Sequence, residues 1–128
     1  MDTFDSLFFT ESTLGEATMS GPDLVIPIYG LFRLRVSSKL RADRPVSGWL
    51  IFKGAQRSFR EITEYIGDPR RPDGFKDPYF DERKLAAASE GVREYAFEGR
   101  QLDPTAWVDW IVVAKAFEIV EDNEQPRG

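Results

Sequence analysis

From Leu24 onward, apolar residues recur at every second position. Leu24, Ile26, Ile28, Phe32, Leu34 and Val36 share one parity, interrupted at Gly30. A period of two is that of a strand with one buried face. The opposite face runs Val25, Pro27, Tyr29, Leu31, Arg33, Arg35 and passes from apolar to charged. Gly30 predicts a bulge or bend, and Pro27 an edge position or a strand start. Ahead of this run, Ser20-Gly21-Pro22-Asp23 is turn chemistry, which makes residues 14–20 the preceding hairpin arm.

Further along, residues 37–47 are polar without a period and read as a loop, and Trp49-Leu50-Ile51-Phe52 reads as a buried strand ended by Gly54. Segment 58–66 fits two elements. Ser58 with Glu61 forms a capping box, and Phe59, Ile62 and Ile66 share a helical face. Its Phe, Ile, Thr and Tyr content favours a strand. Residues 67–80, rich in Pro and Gly, predict an irregular loop. Asp81 then caps a short helix around 82–90, through the alanines Ala86–Ala88 to Gly91. Val92, Tyr95, Phe97 and Gly99 suggest a strand, and Asp103-Pro104 a turn or a helix start. Ala106 to Val120 reads as a strand with a bulge near Ala116, although Trp107, Trp110, Ile111 and Ala114 also fit a helix. The expected fold is mainly β: an antiparallel β-sandwich or partly open barrel of six to seven strands with that one helix. One domain over 1–120 and a polar tail over 121–128 complete it.

Composition narrows the chemistry. The 128 residues, 41% hydrophobic and 30% charged, suit one globular domain. The chain has no cysteine and no histidine, which removes disulfides, thiolate chemistry, the usual general base and the commonest metal ligand. Net charge is −5, which disfavours nucleic acid and anionic lipid as partners. The charge is uneven. Residues 1–32 carry five acids and no base, whereas residues 33–60 carry eight bases and one acid. Neighbouring strands that pair acidic with basic segments account for this pattern; a local anion-binding strip is the sharper reading. Met-Asp-Thr-Phe-Asp at the amino terminus lacks the basic start of a signal peptide, and the longest purely apolar stretch, Trp110 to Ala114, spans five residues. A cytoplasmic protein is expected.

The 67–80 segment is the foremost candidate site. It interleaves Arg70 and Arg71 with Phe75, Tyr79 and Phe80, the composition of an anchor for a protein partner, unless the rings fold back onto their own sheet. Asp68, Asp73, Asp77, Asp81 and Glu82 lack calcium-loop spacing, so no metal site and no cofactor is expected. Glu61, Glu64, Asp109 and Glu118 are the carboxylates that a hydrolase cleft could draw on. Trp49, Trp107 and Trp110 could stack on bases or sugars; in a strand, Trp107 and Trp110 cannot both be interior.

These features favour a non-catalytic, small acidic binding protein that holds a macromolecular partner. One version is a bacterial immunity- or antitoxin-type inhibitor of a basic protein. The alternative is a carboxylate-based hydrolase or small-ligand binder in a sandwich cleft. A third reading is self-association through exposed strand edges.

Overall fold

The computed structural model describes residue 4 and residues 7–33, 46–68, 70–85, 90–102 and 104–122, with backbone alone at 32–33. Eleven strands are present among them. They are β1 (Leu7–Phe8), β2 (Thr13–Leu14), β3 (Thr18–Ser20), β4 (Asp23–Arg33), β5 (Val46–Lys53) and β6 (Arg57–Asp68). After these come β7 (Arg71–Phe75), β8 (Tyr79–Lys84), β9 (Arg93–Leu102), β10 (Thr105–Ala114) and β11 (Ala116–Glu121). The fold is mainly β, built on one sheet that does not close, with the order β11-β5-β4-β2-β9-β10-β6-β7. β1 and β3 add to β4, and β8 adds to β6.

Connectivity forces the sheet to curl. Only Lys115 separates β10 from β11, yet the two lie five strands apart in the order. A flat sheet would hold them roughly 24 Å apart, and one residue spans only about 3.5 Å. Residues 54–56 make the same jump from β5 to β6. Backbone bonds pin this corner: the Lys115 N–H donates to the Lys53 carbonyl at 2.8 Å and the Gln56 N–H to the Val113 carbonyl at 2.7 Å.

The core lies inside the curl. Alternation puts Ala106, Val108, Trp110, Val112 and Ala114 of β10 on the inner face, with Leu24, Ile26 and Ile28 of β4 and Leu50 and Phe52 of β5. Rings from opposite halves meet there: Phe52 stacks on Phe97 at 5.5 Å, and Phe117 lies 5.9 Å from Tyr95. The buried Trp110 indole donates to Ser58 Oγ at 2.9 Å, which satisfies both polar groups. Trp107 takes the outer face of β10, and Trp49 is 39% exposed on β5, so only one of the three tryptophans is a core residue.

Gly30 sits at φ 74, where the β4–β5 register shifts between Ile28 and Leu31. Here the bulge is where the alternation placed it. Pro27 is inside β4 rather than at its start. Its strand is tolerated because the neighbouring edge is broken between β2 and β3, and Gly15 N–H reaches the Pro27 carbonyl instead. Acidic and basic segments do pair, as β4 with β5, and Lys53 lies 3.6 Å from Asp23.

Four expectations need correction. The strand count is eleven rather than six or seven, because several are two- or three-residue pieces. Residues 82–84 of the expected helix belong to β8, where Glu82 pairs with Arg57 and Asp81 with Arg60 across to β6; the helix stretch 86–89 lies outside the described residues. Residues 67–80 are not one irregular loop. They hold the end of β6, all of β7 and the start of β8, with Gly67 at φ 88 and a register shift turning the chain. Pro72 is acceptable there because β7 is an edge strand. Finally, Ala106 to Val120 is two strands: the parity change marks the corner at Lys115, not a bulge. The expected 37–47 loop lies largely outside the described residues, and Val46 and Ser47 open β5.

Candidate functional site

Directly opposed residues of an antiparallel ladder share a face and sit about 4.5–5.5 Å apart. The outer face of β6, β10 and β9 can therefore be read in rows. Phe59, Ile111 and Ala96 form one row; Glu61, Asp109 and Glu98 form the next; Thr63, Trp107 and Arg100 follow. Three carboxylates thus stand side by side on three adjacent strands. They lie in a groove of about 450 Å³ whose far wall is the segment Leu7–Thr10. Thr10 Oγ1 donates to Glu98 Oε2 at 2.8 Å.

Asp109 is the central member. Loss of water on its groove side raises its carboxyl pKa above the ordinary value, and the Glu98 charge adds to the rise; a hydrogen bond from the Trp107 side chain acts the other way. No lysine or arginine among the described residues forms an ion pair with Glu61, Asp109 or Glu98. The three do not form a cage: among the described residues no such group converges closely enough to hold a metal ion.

The aromatic candidates divide between two faces. Phe80 opposes Glu61 on the outer face and stacks on Phe59 at 5.6 Å. Phe75 opposes Tyr65, with ring centroids 5.5 Å apart, so it extends the same surface. Both remain well exposed, at 58% for Phe75 and 60% for Phe80. Tyr79 opposes the buried Ile62 and so belongs to the inner face. Its hydroxyl donates to Glu64 at 2.7 Å, which raises the Tyr79 pKa and, with Lys76, lowers that of Glu64. Arg70 and Arg71 are exposed at the β6–β7 hairpin, where the Arg70 N–H caps back to Asp68 at 2.9 Å, away from the groove.

Of the four carboxylates the sequence offered, Glu61 and Asp109 come together. Glu64 lies on the opposite face, and Glu118 sits on β11 beside Lys53. Glu98 escaped notice. The available signal was that Asp103-Pro104 could be read as a turn between two strands; β9 and β10 do pair directly, which sets Glu98 against Asp109.

Behind the groove, Arg60 of β6 hydrogen-bonds to Asp81 of β8, and this pairing holds the Asp81 carboxyl below its ordinary pKa. A lowered folded-state pKa supplies stability above the ordinary carboxylate value, and that stability is lost as pH falls through the folded-state value. Asp81→Asn is expected to cost about 1 kcal/mol at neutral pH and to lose less stability on acidification than the wild type does. Urea denaturation of both proteins at pH 7 and pH 3 checks this.

Among the described residues no helix is long and apolar enough to cross a membrane. Comparison with known proteins finds no family model, no curated protein and no solved structure that matches this chain.

Proposed function

We propose that this chain is a non-catalytic acidic binding protein of the cytoplasm. It holds a basic protein partner on the outer face of β9, β10 and β6, in the manner of an immunity- or antitoxin-type inhibitor. The row Glu61–Asp109–Glu98 carries the reading. Like charges opposed across strands destabilise a sheet, and no lysine or arginine among the described residues forms an ion pair with these three; Arg100 stands one row away. Lysine or arginine side chains from a partner would supply the missing charge. The rings of Phe59, Phe80 and Phe75 beside the row offer apolar and cation–π contact for the same side chains.

A labelled peptide of alternating lysine and glycine tests this by fluorescence anisotropy. Binding is expected to weaken steeply with added salt. It should be lost in the triple variant Glu61→Gln, Asp109→Asn, Glu98→Gln. An equal loss of charge elsewhere, in Glu16→Gln, Glu90→Gln, Glu118→Gln, should leave it nearly intact. Equal weakening in both variants would mean that the peptide senses net charge only, and the reading fails.

One observation favours a second reading. Asp109, with its raised pKa, opposes a carboxylate that accepts a hydrogen bond, which is how acid–base hydrolases set two carboxyl groups to different tasks. Turnover of chromogenic ester and glycoside substrates that disappears in Asp109→Asn would favour catalysis over binding.

A further inference from the structure

The sheet halves part at the end of the fold far from the Lys115 corner. The gap is a cleft of about 630 Å³, well within the size range of small-molecule sites. Ile62, Tyr79 and Asp81 line it from the inner side of β6 and β8, away from the acidic groove on their outer side, and Phe80 of the outer face lines it too. Leu14 from one half and Ile62 from the other line it, each 3% exposed. Apolar surface also remains open to water around the cleft: Tyr29 is 54%, Tyr79 43% and Leu102 65% exposed. That much exposed apolar area around a cavity is a mark of a binding site.

Charges on the walls alternate in sign. Glu16, Arg60 and Asp81 all line the cleft, and Arg60 is already engaged, by Asp81 and over the Trp110 ring at 5.1 Å. A small adjoining cavity of about 90 Å³ shares Glu16 and Arg60 and adds Arg83. An anionic ligand would meet Glu16 and Asp81 with the nearest guanidinium already matched. A cationic ligand would meet Arg60, with Arg83 beyond it in the adjoining cavity and the Asp81 carboxylate already shared between the two. The walls suit an uncharged molecule that both donates and accepts hydrogen bonds along its edge and presents C–H groups on its face. The Tyr79 ring, the Leu14 and Ile62 side chains and the hydroxyl and amide of Thr13 and Gln101 supply both kinds of contact.

We infer that this inter-layer cleft is a binding site for a neutral saccharide. Sugar rings combine a polar rim with apolar faces that pack on aromatic side chains, and the cleft sets the inward-facing Tyr79 among donors and acceptors of balanced charge. The cleft shares Phe80 with the proposed partner surface but none of the three carboxylates of the row, so its failure would leave that reading untouched.

Tryptophan fluorescence reports on it, because Trp110 lies beneath Arg60 beside the cleft. The wild-type chain is titrated with maltotriose, cellotriose and N,N′,N″-triacetylchitotriose, with glucuronate and glucosamine as charged comparators. At least one neutral trisaccharide is expected to give a saturable change. Tyr79→Ala, after circular dichroism shows that it folds, should weaken that binding by about tenfold or more, equivalent to 1.4 kcal/mol. Phe75→Ala, on the opposite face, should leave it unchanged. The inference is overturned if no neutral trisaccharide saturates, if a charged comparator binds more tightly, or if Phe75→Ala matches the effect of Tyr79→Ala.

Discussion

Phe52→Ala is expected to cost about 3–5 kcal/mol of folding stability, a large share of what a small domain possesses. Phe52 is fully buried, and its ring meets four others: Phe4, Tyr95, Phe97 and Phe117, with centroids between 5.2 and 6.4 Å away. Tyr95 and Phe97 come from β9, whereas Phe117 comes from β11, so this one ring joins the two halves of the curled sheet. Truncation removes transfer energy and opens a cavity that neighbours from two halves of a stiff sheet cannot fill. Phe52→Leu, which keeps most of the volume, should cost about 1.5 kcal/mol or less. Urea denaturation at unchanged slope measures both. A cost near zero for Phe52→Ala would mean that the halves do not meet across the core.

How much of this was legible in the sequence depends on the range of the interaction. The alternation from Leu24 and the glycine that breaks it are local, and both appear in β4 as read. The β9–β10 pairing is nearly as local, because the two strands follow one another in the chain. Segment 67–80 misled because proline and glycine mark loops, yet an edge hairpin accepts both. Asp81 misled differently: a carboxylate before an alanine run reads as a helix cap, until cross-strand Arg57 and Arg60 compete for Glu82 and Asp81. Lys115 left only a change of parity, and a parity change looks the same whether a strand bulges or leaves for another part of the sheet. The candidate site needed the least local fact of all, the pairing of β6 with β10. That pairing brings Glu61 beside Asp109 from 48 residues away, and nothing in the spacing of 22 acidic residues singles it out.

Asp109→Asn should have opposite effects on folding and on binding. Asparagine keeps the shape and can still accept from the Trp107 side chain, but it removes the charge set between Glu61 and Glu98. The fold should gain about 0.2–1 kcal/mol, the range for relieving a like-charge cross-strand pair. The basic probe peptide should bind about tenfold more weakly, because a contact charge has gone, and Asp109→Lys should abolish its binding. Acidity adds a second readout. The raised pKa of Asp109 means that this group favours the folded state at low pH, and that its contribution is lost as pH rises through the folded-state value, the reverse of Asp81. Protonation there relieves the sheet and removes a charge that the proposed basic partner would meet, so peptide affinity should fall on acidification before ordinary carboxylates titrate. In Asp109→Asn that early fall should be absent. Under the proposed function, such a cost to the fold is the trade expected of a row kept for binding rather than for stability. Denaturation and anisotropy on the same two proteins decide the matter: a variant that binds as well as the wild type while folding more tightly would show the row to be a tolerated defect.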